Sequence, residues 1–110
     1  MNVTFTARHF RPHADVRQHA LSEVRKLGKF YDGIVTANVI LSFERATNSL
    51  KKAEINLHVY GTVLSARDKS EDFVKSIDNT VAKLVLQLAK YKTKLRSKDK
   101  TTVRRIQDKV

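Results

Sequence analysis

Apolar residues in the last third of the chain recur at steps of three and four, at Phe73, Ile77, Val81, Leu84 and Leu88. That is the period of a helix with one buried face. At about 100° per residue these five side chains fall within roughly 80° of arc. Lys83, Lys90 and Lys94, with Gln87 between them, lie on a second line about a third of a turn away. The helix is predicted to start near Ser70, whose hydroxyl can cap free N–H groups, with Glu71 and Asp72 opposing the helix dipole. A second helical pattern, Val16, Ala20, Val24, Leu27 and Tyr31, predicts a helix over about residues 13–31. Pro12 suits its entry, and Gly33 is a plausible stop.

The remaining segments alternate with a period of two. Val3, Phe5 and Ala7 form one such run, and Val39, Leu41 and Phe43 anchor another over residues 36–43. Ala53, Ile55, Leu57 and Val59 form a third, and Leu64 and Ala66 a shorter fourth. Gly61 between the last two predicts an antiparallel hairpin, and the polar stretch Arg45–Lys52 a longer turn. The predicted fold is therefore α+β, in the order β-α-β-β-β-α, with both helices covering one face of a four-stranded sheet. Residues 1–96 form the predicted domain. Beyond Arg96 the chain is highly charged with few apolar residues, which predicts a frayed helix end and a basic, mobile tail over residues 97–110.

Charge sharpens this picture. The chain of 110 residues has a formal net charge of +11, from 22 Lys and Arg against 11 Asp and Glu. Ten of those bases and only two of the acids lie between Lys83 and Val110. Such an asymmetry points to nucleic acid, or less often to an anionic membrane. A merely solvated helix end is the bland alternative. There is no cysteine, hence no disulfide framework, thiolate nucleophile or cysteine-held zinc. The first ten residues lack the apolar core of a signal peptide, and no run of about 18 apolar residues occurs. A soluble, cytoplasmic protein is the expectation.

Catalytic constellations are absent from the pattern. No nucleophile-elbow, phosphate-loop or paired-histidine zinc motif occurs, and three glycines leave little for a phosphate cradle. His9 and His13 have a metal-compatible spacing on a helix, but Pro12 interrupts it and a third ligand is missing. No metal and no cofactor are expected, and an enzyme, such as a small nuclease, is the least supported class. RNA binding has more physics behind it. Aligned cations on a rigid helix can match the phosphate spacing of folded RNA, with counterion release making affinity salt-dependent. Tyr91, among Lys90, Lys92 and Lys94, could stack on a base or simply pack over the lysine stems.

The spacing Ile77, Asp78, Lys83, Leu84, Gln87, Leu88, Lys90 and Lys92, together with Lys26–Asp32 at the end of the first helix, resembles the bacterial ribosome hibernation factors. That family includes hibernation-promoting factor and ribosome-associated inhibitor A, and the resemblance spans about residues 1–96. It implies a fold related in shape to double-stranded-RNA-binding domains. It also implies a seat in the mRNA channel of the small ribosomal subunit, where the protein would block mRNA and tRNA in starvation or stationary phase. Carried over by position, the ribosomal RNA contacts would be Lys83, Lys90, Lys92 and Lys94, with Lys26 and Arg96 contributing. The expected partner is the small subunit and its RNA, with an accessory ribosome-dimerisation factor also conceivable and the free protein a monomer. A general structured-RNA-binding module or RNA chaperone is the alternative. One departure stands out, since Leu86 occupies a position that is usually basic in the family, on the side of the helix away from its core stripe. Long members carry a second, dimerising domain that 110 residues cannot hold.

Overall fold

Alternation in the strands becomes a sheet with one buried and one open face. A computed structural model describes the backbone of residues 1–44 and 50–109, and the side chains of these up to Leu95. The elements are β1 (Asn2–Ala7), α1 (Ala14–Phe30), β2 (Thr36–Phe43), β3 (Lys51–Val59), β4 (Thr62–Ser70) and α2 (Phe73–Lys109). This is the predicted order. The sheet runs β1-β2-β3-β4, with β1 parallel to β2 and the other pairs antiparallel. A parallel neighbour requires a crossover, and α1 supplies it.

The buried face carries Ala37, Val39 and Leu41 of β2, Ala53, Ile55 and Leu57 of β3, and Ala66 of β4. α2 lies over β3 and β4, and α1 packs against α2 and β1. Ile77, Leu84 and Leu88 of α2 and Ala20, Val24 and Leu27 of α1 complete one core. Phe10, Phe43 and Phe73 close one end, with Phe10 and Phe73 stacked at 5.0 Å and Phe43 edge-on to both. Two buried hydroxyls on α2 fasten the helix to β3. Ser76 Oγ donates to the Lys51 carbonyl at 2.7 Å, and Thr80 Oγ1 donates to Ala53 at 3.3 Å and to Ser76 within its own helix at 2.7 Å. Among the described residues no buried side-chain polar atom lacks a partner, which matters because an orphaned one costs about 1–3 kcal/mol.

Several boundaries differ from the sequence reading. β4 is longer than its apolar alternation suggested, because backbone pairing continues to Lys51↔Ser70 through residues that bury nothing apolar. Ser70 therefore ends a strand. The N-terminal cap of α2 is Asp72 instead, whose Oδ1 accepts from the Val74 N–H at 3.1 Å, while the Ser70 hydroxyl accepts from Asp72 N–H. Gly33 does not stop α1, which ends at Phe30 because Tyr31 turns to an extended conformation (φ −147°). Gly61 does meet its expectation. It takes φ 81° in the two-residue turn between β3 and β4, a region costly for a side chain. The Arg45–Lys52 turn lies largely outside the described residues. The helical backbone of α2 continues to Lys109, through most of the segment read as a frayed tail; no glycine or proline follows Gly61 to break it.

Leu84 is fully buried, whereas Leu86 is 67% exposed two residues later. Leu84→Ala should destabilise the protein by about 2–5 kcal/mol, while Leu86→Ala should change stability by less than about 0.5 kcal/mol. Urea unfolding of both variants, followed by circular dichroism, measures the contrast.

Candidate nucleic-acid interface

One turn of helix decides what each lysine of α2 can reach. With the core stripe toward the sheet, positions on one flank face β4, positions on the other face α1, and the rest face solvent. Lys83 and Gln87 lie on the β4 flank. The Lys83 ammonium donates to the Arg67 carbonyl at 2.8 Å and sits 3.2 Å from the Asp68 carboxylate. Gln87 Nε2 donates to the Ser65 carbonyl at 2.8 Å. These two side chains satisfy the carbonyls of an edge strand, so part of the lysine line is engaged in holding the helix to the sheet.

Asp68 has further partners. Asn79 Nδ2 donates to its other oxygen at 2.9 Å. The Asn79 hydrogen bond is the chief cause that holds the Asp68 carboxyl below the usual carboxylate range; partial burial opposes this, and Lys83 adds to the lowering. A carboxylate with a depressed pKa stabilises the fold above its unfolded-state value, and that contribution is lost as the pH falls through the folded-state value.

Lys90 and Lys94, by contrast, are exposed and make no hydrogen bond or ion pair among the described residues. Tyr91 lies between them in sequence but not in direction. Its ring packs edge-on against Tyr31 at 5.6 Å, and its hydroxyl donates to the Tyr60 carbonyl at 2.6 Å. Burial, above all, and the neighbouring Tyr31 raise its pKa, so it remains a neutral donor. Tyr91 thus packs on Tyr31 and the β3–β4 turn and not over the stems of Lys90, Lys92 and Lys94. The clue was present in the sequence, since Tyr91 and Leu95 continue the steps of three and four from Leu88. Lys92 lies on the α1 flank, where its ammonium caps the Phe30 carbonyl at 3.3 Å and rests over the Phe30 ring at 4.7 Å. Lys26, on α1, pairs with Glu23 at 3.0 Å and remains largely exposed. The Arg96 side chain lies outside the described residues.

Two groups escaped the sequence reading. Tyr60, at the β3–β4 turn, is 85% exposed beside the Lys90–Lys94 face of α2. His19 Nε2 meets Asp78 Oδ1 at 2.6 Å, joining α1 to α2, with Glu23 alongside. Their ligand atoms lie within 4.8 Å of one another. Lys26 holds Glu23 and His19 holds Asp78, so the group reads as an interhelical clasp. No periodicity relates His19 to a residue 59 positions away, and only the fold brings them together.

The open face of the sheet is a hydroxyl and amide surface. Thr4, Asn38, Asn56 and Ser65 stand in one row across all four strands. Thr4 donates to Asn38 and Ser65 to Asn56, each at 2.6 Å. No phenylalanine, tyrosine or tryptophan lies on the described part of this face, where His58, 3.2 Å from Asn38, is the one ring.

A family model described as Sigma 54 modulation protein / S30EA ribosomal protein matches residues 3–96. The chain belongs to this family. Members similar to this S30EA chain include the ribosome hibernation promoting factor of Klebsiella oxytoca, 33% identical over 81 residues that make up 74% of this chain and 82% of that protein. The factor of the same name from Escherichia coli (strain K12) is 31% identical with the same coverage. A longer ribosome hibernation promotion factor, from Lactococcus lactis, is 28% identical over 88 residues, 80% of this chain but 48% of that one. Two solved structures share the fold. A ribosomal subunit interface protein from Coxiella burnetii has a TM-score of 0.76 at 22% identity, covering 84% of this chain and 99% of its own. The N-terminal domain of Thermus thermophilus Protein Y has a TM-score of 0.71 at 23% identity, covering 83% and 99%. Membership in the S30EA family agrees with the resemblance carried by Ile77 through Lys92.

Replacing Asp68 with Asn should lower stability at pH 7 by about 0.5–1 kcal/mol, since the site is partly screened by solvent. The gap between variant and parent should close as the pH is taken down through the acid range. Urea midpoints measured from pH 7 to pH 2 test the sign, and a gap that widens on acidification would contradict it.

Proposed function

We propose that this protein is a hibernation factor that binds the small ribosomal subunit in its mRNA and tRNA channel and inhibits translation by occupying it. The observation that carries this reading is the pair Lys90 and Lys94, exposed on a helix whose opposite side is locked into the core of an S30EA fold. Rigid cations approach phosphates without the entropic cost of ordering a loose tail. Each phosphate neutralised releases counterions, so binding weakens as salt rises.

In this reading Lys90 and Lys94 make the first contacts. Lys92, Lys83 and Lys26 join them, exchanging their present protein partners for phosphate or reaching both, and Arg96 extends the set along α2. No bond is made or broken: the protein is a binding protein, and its mechanism is steric. It acts in the cytoplasm, where ribosomes are; among the described residues no helix is long and apolar enough to cross a membrane. A monomer suffices for occlusion, and a separate dimerisation factor would be needed only for pairing of ribosomes. The relatives named for hibernation and for the ribosomal subunit interface support the assignment of partner.

The second reading, a general binder of structured RNA, draws on the net charge of +11, which would attract any polyanion. Affinity for intact small subunits compared with an unrelated RNA duplex at matched salt separates the two, equal affinities favouring the general binder.

The double substitution Lys90→Glu with Lys94→Glu should abolish co-sedimentation with small subunits on a low-salt sucrose gradient while leaving the unfolding midpoint nearly unchanged. The more conservative Lys90→Ala with Lys94→Ala should reduce the slope of log affinity against log salt by about two. A parent protein that stays at the top of a low-salt gradient containing idle ribosomes would sink the assignment.

A further inference from the structure

Between the β3–β4 turn and residues 87–95 of α2 lies an open cavity of about 610 Å³, lined by Tyr60, Leu64, Gln87, Lys90, Tyr91 and Lys94 among others. Its size falls within the range of about 300–1,000 Å³ typical of small-ligand sites. Each wall has a definite chemistry. Leu64 and the Tyr91 ring are apolar, and the Tyr91 hydroxyl is already spent on the Tyr60 carbonyl. That same bond, with Gly61 at φ 81°, fixes the turn and so the position from which the exposed Tyr60 ring projects. Gln87 spends its amide N–H on Ser65, which leaves its carbonyl oxygen free of any donor among the described residues. Lys90 and Lys94 are the cations at the rim.

An apolar slot, an exposed aromatic ring, one unused acceptor and two ammonium groups together match a nucleotide. We propose that the cavity takes one unpaired amine-bearing base of the ribosomal RNA (adenine, cytosine or guanine), its ring stacked on Tyr60 and its exocyclic amine donating to Gln87 Oε1. The flanking phosphates then lie on Lys90 and Lys94. The inference rests on the RNA-binding reading and deepens it, since it adds a base contact to what phosphate geometry alone would provide. Base stacking on an aromatic side chain is tolerant of sequence, whereas the amide acceptor selects for an amine-bearing base. Tyr91, which the sequence placed among the lysines, is the wall of this slot, and Tyr60 is the stacking residue.

Purified small subunits bound to the full chain provide the test, with dimethyl sulfate reporting unpaired adenine and cytosine, kethoxal unpaired guanine, and hydroxyl radicals the RNA backbone. The parent and Tyr60→Phe should protect the same one base from these base reagents. Tyr60→Ala, at an exposed position where folding is not at risk, should lose that protection and bind about fivefold or more weakly. Its backbone footprint at saturating protein should be unchanged. A backbone footprint with no protected base in the parent, or the same protected base with Tyr60→Ala, overturns the pocket assignment and leaves the RNA-binding reading intact. Absence of any footprint overturns both. Tight binding of AMP or CMP by the free protein, with no base protected on the subunit, would make the occupant a free nucleotide and likewise overturn the assignment to RNA.

Discussion

The burial of the α2 stripe against β3 and β4 is the contact on which the other features depend. Ile77, Leu84 and Leu88 are wholly withdrawn from water, and Ser76 and Thr80, on the same side, reach the carbonyls of β3. Ile77, Leu84 and Leu88 share one buried cluster with Ile55 and Leu57 of the sheet. Once that face is set, helical geometry assigns every other position of α2 to a neighbour. The β4 flank must hold groups that satisfy strand carbonyls, and the α1 flank must hold groups that meet the end of α1. Further along α2 the β4 flank runs out beside the β3–β4 turn, and there its side chains are exposed.

That partition divides the lysines by role. Lys83 and Lys92 each place an ammonium on a main-chain carbonyl, one on β4 and one at the C-terminal end of α1. The second of these also complements the negative end of the α1 dipole. Lys90 and Lys94 project where no described group meets them. The line of Lys83, Lys90 and Lys94, uniform on a helical wheel, is therefore one structural clamp and two exposed charges, with Lys92 a second clamp on the other flank.

Much of the fold was legible because each element obeys one periodicity with one buried face. β2 coincides with its predicted span at Thr36–Phe43, and Gly61 marked the hairpin, since its positive φ is costly for other residues. β4 was underestimated because its last residues, Asp68 to Ser70, are held by backbone pairing and polar contacts, which leave no hydrophobic signature. Ser70 was mistaken for the helix cap for the same reason: serine suits a cap, and only the pairing of the preceding strand shows that the chain is still extended there. His19 and Asp78, which converge at 2.6 Å, come from different helices, and no local spacing announces them.

Taken alone, the sequence determined the order of the elements, the face that each buries, the excess of positive charge near the C-terminus and, through the spacing from Ile77 to Lys92, the family. These follow from local periodicity and composition, which need no knowledge of what lies opposite. The tertiary structure decided which charges are committed and which are exposed. It turned Tyr91 into a packed wall bonded to the β3–β4 turn and brought Tyr60, 31 residues earlier, beside Lys90 and Lys94. The physical reason is that the role of a polar side chain depends on its nearest donor or acceptor, and here those partners lie on strands and turns far away in the chain.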